Sequence, residues 1–344
     1  MKLLMITRKV DKDDGLAGFT YNWITKLSVH LESLFVICLE KGNTDGLPEN
    51  IKVYSLGKEN GKNRWKEFWR FHKLARAIVP QVDGVFAHQN PEYGILISLW
   101  TKIYSKKLIA WYAHGSVSFR LKLLNALVDQ AVTSTPKGFR LKSKKLKVLH
   151  QGIDTDIFAF KEKESHDELR LLTVSRISKT KNIELMVDAV RSIKERSNKK
   201  IVLKIAGDAN LDKDKKYLDR LKRKVAERGL DSNVQFLGSV ANDQTPELYQ
   251  WADIFLNFSN TGSMDKTVLE AMSCGTVILT SNVAFKELLN QIAPKLYLGT
   301  WHSIDKTIES LSRVEDDLPN ELRDYVKNNH DLDKLMAKIA NLFE

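Results

Sequence analysis

The chain has 344 residues, 43% of them apolar, and a formal net charge of +11. That length suits two domains, each with its own core, and no run of ~18 apolar residues marks a membrane span. Residues 1–150 carry 25 Lys and Arg against 12 Asp and Glu, and the remainder carries 29 against 31, so an anionic partner is expected on one side: nucleic acid, anionic lipid or a phosphorylated substrate.

In chain order, Lys2 to Thr7 reads as a first strand, not as a signal peptide, because no basic region precedes it. A polar loop with Gly15 and Gly18 follows, then a helix through Trp23, Ile24 and Leu27. A strand, a glycine loop and a helix let backbone approach a ligand closely. The loop is not G-x-G-x-x-G, and a structural turn fits nearly as well. Leu34 to Leu39 is a continuous apolar run, as in a parallel strand buried on both faces. Arg64 to Ala77 is a helix with Trp65, Phe68, Trp69 and His72 on one face and Lys66, Arg70 and Lys73 elsewhere. That face either packs on the sheet or lies on an anionic membrane surface. Further strands end at His88 and at His114-Gly115. His114, in a glycine-bearing loop, is the stronger functional candidate of the two. Cys38 and Cys274 lie far apart and are expected as buried thiols of a cytosolic protein.

Residues 160–170 are polar without apolar period and are expected as the linker. A second alternating series follows. Leu171 to Val174 is a strand, and Arg176 and Lys181 flank the turn into the next helix, where paired cations suit a diphosphate. Later strands end at Gly207 and Gly238. Strands alternating with helices throughout predict doubly wound parallel sheets, with ligands at the carboxyl ends of strands.

The most informative stretch is 257–281. Ile254 to Asn257 is a strand, Thr261-Gly262-Ser263 a tight loop, and a helix starts near Asp265. Such a helix N-terminus favours an anion. Lys266 adds a charge, and Glu270, four residues on, faces the same side. A carboxylate there suits a ribose, because it accepts two hydrogen bonds. Taken alone, Lys266 and Glu270 are as well read as a surface ion pair. The convergence of Arg176, Lys181, Gly238 and 261–270 at strand ends favours a site.

These segments, in this order, resemble a glycosyltransferase of the GT-B fold, similar to the retaining family 4 enzymes of bacteria. V-S-R-I-S-K-T-K-N matches the family's strand–Arg–x4–Lys loop, and H-Q-G-I-D-T-D-I-F its interdomain motif. T-G-S-M-D-K-T-V-L-E-A-M-S-C-G resembles the donor-site signature, D-D-G-L-A-G-F the acceptor-side glycine loop, and Y-A-H-G the loop with an active-site His. The resemblance implies two Rossmann-like doubly wound domains facing across a cleft: an acceptor-side domain over 1–160, a nucleotide-sugar-binding domain over 161–325, and a final helix within 326–344 crossing back to the first. It implies a nucleotide-sugar donor held by Gly15, Gly18, Gly238, Gly262, Ser263, Met264, Asp265, Lys266, Thr267 and Glu270. Arg176 and Lys181 would stabilise the leaving diphosphate, and His114 would contact the sugar or place the acceptor. No metal or cofactor is expected, and D-T-D at 154–156 would be structural.

One departure matters. The family places a Glu eight residues before Glu270, and this chain has Gly262 there. Asp265, or backbone N–H groups of Ser263 to Lys266, would take over. The expected activity is retaining transfer to a saccharide or lipid-linked acceptor in envelope polysaccharide or glycolipid synthesis. The expected place is the cytoplasm, with peripheral attachment at the inner membrane face through the basic first half as an option. The alternatives are a nucleotide-sugar epimerase or sugar phosphorylase, a non-catalytic GT-B subunit, and a nucleic-acid binder, disfavoured because no binding module is recognisable.

Overall fold

The strand Lys2–Val10 (β1) sends Leu3 and Met5 to one face of its sheet and Leu4 and Ile6 to the other, and all four are buried. Period-two alternation with apolar residues on both sides requires cover on both faces. The structure, a computed structural model, describes residues 1–15, 17–61, 63–163, 165–197, 200–299, 303–312 and 317–344. It divides into two compact units, residues 1–154 with 331–344, and residues 155–330.

Unit 1 continues with β2 (Ser33–Lys41), β3 (Ile51–Ser55), β4 (Gly84–His88), β5 (Lys107–Trp111), β6 (Gln130–Thr133) and β7 (Leu146–Val148). All pair in parallel in the order β3-β2-β1-β4-β5-β6-β7. Its helices are α1 (Gly18–Ser28), α2 (Arg64–Ile78), α3 (Pro91–Ile103) and α4 (Phe119–Leu127). Phe71 of α2, Ile97 of α3 and Leu121 of α4 share a core with Leu4 and Ile6, so these three helices cover one face. Trp23 of α1 joins Leu3 and Met5 on the other.

Unit 2 has β8 (Glu168–Val174), β9 (Lys200–Ala206), β10 (Val234–Gly238), β11 (Ile254–Asn257) and β12 (Val277–Thr280), parallel in the order β10-β9-β8-β11-β12. Its helices are α5 (Ile183–Arg196), α6 (Asp212–Glu227), α7 (Thr245–Trp251), α8 (Lys266–Ser273), α9 (Lys286–Ile292), α10 (Ile304–Leu311) and α11 (Leu318–Asn329). The last helix, α12 (Leu332–Ala340), lies in unit 1. Its Leu335, Met336 and Ile339 join the α1 core, and Asp333 bonds Lys26 of α1 at 3.0 Å.

The boundary falls at Asp154, six residues before the expected one. Residues 155–160 belong to unit 2 because Phe158 is buried there: its carbonyl accepts from Ser273 Oγ at 2.7 Å and its ring meets Tyr249. The expected linker is shorter too, because β8 already begins at Glu168. In α2 the buried face is Phe71, Ala75 and Ile78, while Trp65 and Trp69 are exposed. The aromatic face therefore does not pack on the sheet.

Candidate functional site

In each sheet the chain changes direction between two adjacent central strands, the place where such sheets commonly bind ligands. In unit 2 the two strands are β8 and β11. The loop after β8 carries Arg176 and Lys181, and the loop after β11 carries Gly262 to Asp265. Asn182, in the left-handed region at φ 50°, donates Nδ2–H to the Phe258 carbonyl at 2.8 Å. The Asn260 N–H donates to the Thr180 carbonyl at 3.0 Å. These bonds zip the two loops together.

Lys181 Nζ lies 2.8 Å from Asp265 Oδ2 and 3.2 Å from Ser259 Oγ. The same Asp265 oxygen accepts from Asn257 Nδ2 at 3.0 Å. Asp265 is the N-cap residue of α8, yet its side chain makes no cap bond. Its carboxylate is engaged instead with Lys181 and Asn257 through Oδ2. An ammonium has three donors, so a ligand can still share Lys181. Arg176 is exposed at the end of β8 and forms no ion pair among the described residues. Gly207, at φ +135°, lies so close that an added Cβ would fall 1.8 Å from the Ser175 carbonyl oxygen. Its N–H donates to the Gly238 carbonyl at 2.7 Å, which joins the three strand ends behind Arg176.

Gly262 has φ +67°, a conformation that strains any side chain. The loop geometry thus accounts for glycine where the family motif has Glu. Ser263 is fixed by Asn282, whose Nδ2 donates to its carbonyl at 2.8 Å. Met264 is half-buried in the same loop, and Lys266 and Thr267 form the first turn of α8. Glu270 is buried, so it is no surface partner of Lys266. Tyr249 donates its hydroxyl to Glu270 Oε2 at 2.9 Å. Burial raises the Glu270 carboxyl above its ordinary value, against the pull of Tyr249 and Lys266. Burial likewise lowers Lys266, to about 8, against the attraction of Glu270. The pair is one electrostatic unit at the start of α8. Residue order alone missed Tyr249, Asn257, Ser259 and Asn282. Tyr249 sits in an apolar helix and reads as core, and the other three read as loop polarity.

In unit 1 the direction changes between β1 and β4. A cavity of about 580 Å³ opens beyond the strand ends there, lined by Arg8, Gln89, Asn90, Tyr112, His114 and Arg120 among others. Gln89 at its mouth holds φ 68°. Non-glycine residues in that region concentrate at functional sites. His114 is exposed on the wall. Its Nδ1 lies 2.9 Å from Ser116 Oγ and 3.2 Å from the Ser116 backbone nitrogen. His88 is buried instead, bonded to Thr7 Oγ1 at 3.1 Å and packed on Trp23. The loop with Gly15 and Gly18 is shaped by Lys9, whose ammonium contacts Asp14 at 2.6 Å, Asp11 at 3.0 Å and Glu40 at 3.2 Å. Burial works against that charge, but the three carboxylates outweigh it and hold Lys9 above the ordinary lysine range. Asp14 also accepts the Ala17 N–H at 2.7 Å, one residue before Gly18 opens α1.

Relatives place these units. Mannosylfructose-phosphate synthase of Agrobacterium fabrum is 26% identical over 43% of this chain and 36% of its own length. An uncharacterised glycosyltransferase of Methanocaldococcus jannaschii is 30% identical over 56% and 50%. Alpha-monoglucosyldiacylglycerol synthase of Streptococcus pneumoniae is 29% identical over 43% and 33%. The matches thus span half or less of these curated relatives. Among solved structures, Anabaena HepE in complex with UDP and glucose matches with a TM-score of 0.77 over 99% of both chains at 17% identity. A Rickettsia africae glycosyltransferase matches with 0.75, over 99% and 97%, at 16% identity. That likeness shows the fold, a two-domain Rossmann-like GT-B fold. The model of the glycosyl transferases group 1 family matches residues 154–331, just over half of the 344, and the chain belongs to that family.

Proposed function

We propose that this protein transfers a sugar from a nucleotide-sugar donor to a saccharide or lipid-linked acceptor, with retention of anomeric configuration and without a metal. The observation that carries this is the set of residues at the unit 2 switch point. Arg176 and Lys181 lie in the loop after β8 at the switch point, Lys181 contacts Asp265 at the N-terminus of α8, and the buried Glu270 lies one turn along. Cations and a helix N-terminus suit a diphosphate, and a carboxylate suits a ribose. The bond from the anomeric carbon to the diphosphate breaks, the acceptor hydroxyl bonds that carbon on the same face, and its proton passes to the departing phosphate oxygen. Charge develops on the diphosphate as that bond breaks, where Arg176 and Lys181 stabilise it. Metal independence rests on those two cations. The unit 1 cavity, with Arg8, Arg120 and His114, takes the acceptor. UDP and glucose in the HepE structure support a nucleotide-sugar donor. A lipid product named for the pneumococcal relative supports a lipid-linked acceptor. The place of action is the cytoplasm, at the membrane for such an acceptor, in the synthesis of envelope glycans.

The test is thermal unfolding against nucleoside diphosphates and nucleotide sugars, with and without EDTA. A ligand that binds only the folded state raises Tm by mass action. The expected result is a shift with one nucleoside diphosphate, kept in EDTA and lost in Arg176→Ala and Glu270→Ala. A flat panel with well-folded protein overturns the proposal and favours a non-catalytic GT-B subunit. That second reading draws on Gly262 alone, which removes a family carboxylate.

A further inference from the structure

The two helix layers of unit 1 differ in what they show to solvent. The layer of α2, α3 and α4 exposes Trp65 and Trp69, Leu99 and Ile103, and Phe119 and Leu123. Trp65 is 76% exposed, Trp69 67% and Phe119 78%. The opposite layer, α1 and α12, exposes as a large apolar side chain only Val29, at the end of α1, among the described residues. Single exposed apolar residues need no explanation, but a set confined to one layer does.

Charge follows the same division. α2, α3 and α4 carry eight Lys and Arg against two Asp and Glu. Both acids are engaged locally: Glu67 accepts the Asn63 N–H at 3.3 Å, and Glu92 pairs with Arg120 at 2.6 Å. On α2 the outward stripe runs Trp65, Trp69, Lys73 and Arg76, at helical spacing, with Phe71, Ala75 and Ile78 buried behind it. The layer is held as one surface. Trp100 of α3 donates Nε1–H to His72 Nδ1 of α2 at 2.9 Å, and Arg120 reaches from α4 to Glu92 of α3.

We propose that the outer surface of α2, α3 and α4 docks on an anionic lipid bilayer, with Trp65 and Trp69 entering the interface and Lys66, Lys73 and Arg76 meeting the headgroups. The cores of protein interfaces are depleted in Lys and Asp/Glu alike. Here cations interleave with exposed aromatic and aliphatic side chains over three helices while acids are few, which is the composition of a helix lying in a headgroup layer. The inference names the surface behind the proposed membrane location and does not depend on transfer chemistry. Vesicle binding is measured without donor or acceptor, so either proposal can fail alone.

The experiment is co-sedimentation of the full chain with vesicles of phosphatidylcholine alone and of phosphatidylcholine mixed with phosphatidylglycerol, at low and high salt. Binding is expected only to the mixed vesicles and weakens with salt. Trp65→Ala/Trp69→Ala lowers it about tenfold or more, since the two aromatics that enter the lipid interface are lost. Lys66→Glu/Lys73→Glu abolishes it, while the charge-matched Lys213→Glu/Lys216→Glu in unit 2 leaves most of it. Melting curves verify folding of each variant. Equal binding to both vesicles, wild-type binding by the tryptophan variant, or equal loss in the two charge variants overturns the proposal. So does a self-associated species that the tryptophan variant dissolves, because the surface then serves a second copy of the chain.

Discussion

Tyr249 gives its hydroxyl to Glu270 at 2.9 Å, and both residues are buried. A carboxylate buried beside one phenol and one ammonium is costly to ionise. Tyr249→Phe removes a donor to a charged acceptor and is expected to destabilise the fold by about 1–3 kcal/mol. It should also weaken nucleotide binding while leaving the units folded. Urea unfolding and nucleotide titration check both. Unchanged stability would mean that Glu270 is protonated and indifferent to the phenol.

The same burial sets a pH dependence. Glu270 is raised above its ordinary 4.5, so between that value and its folded pKa the native state binds more protons than the unfolded chain. Its contribution to stability is full below about 4.5 and is lost as pH rises through the folded value. Lys266 is lowered from 10.5 to about 8, so the unfolded chain binds more protons between those values and stability recovers as pH rises through them. Unfolding free energies across pH should show both slopes. Glu270→Gln should remove the acid-side slope and Lys266→Met the alkaline one.

Lys181 and Asp265 form a largely enclosed pair, with side chains 13% and 15% exposed. Removing one partner strands the other, so each single variant should cost more than its share of the double. A cycle through Lys181→Met, Asp265→Asn and both should return a coupling of about 0.5–3 kcal/mol. Activity separates the roles. On the proposed function Lys181→Met should lower kcat, and Asp265→Asn should lower it less if the aspartate serves only to hold the lysine.

Two glycines should respond differently to alanine. At Gly262 the nearest atom to an added Cβ is Val283 Cγ1 at 3.6 Å, so only the left-handed backbone resists, at about 1–2 kcal/mol. Gly262→Glu should cost the same and gain no donor affinity. At Gly207 the Cβ would strike the Ser175 carbonyl oxygen, so Gly207→Ala must displace the loop that carries Arg176. It should lose nucleotide binding even where it folds.

Cys38 and Cys274 are buried, and burial pushes both thiols up to about 12. Neither is a thiolate at neutral pH. An aromatic disulfide reagent should titrate no thiol in the native protein and both in guanidinium. Fast labelling of the native protein would show that a unit opens locally.

Residue order by itself carried the two alternating series, the doubly wound class, and the placing of Arg176, Lys181, Gly238 and 262–270 after strands. Those depend on local periodicity and on the rule that loops follow strands, which a chain displays along its length. Tertiary structure decided what depends on neighbours distant in sequence. Asp265 faces Lys181 and Asn257 because β8 and β11 are adjacent, which no local pattern states. Glu270 is buried and bonded to Tyr249 because α7 packs beside α8. The outward turn of Trp65 and Trp69 was likewise undecided in the sequence: an amphipathic helix with aromatics on one side and apolar residues on another has two faces to bury. Only packing shows that Phe71, Ala75 and Ile78 fill the core and leave the tryptophans outside.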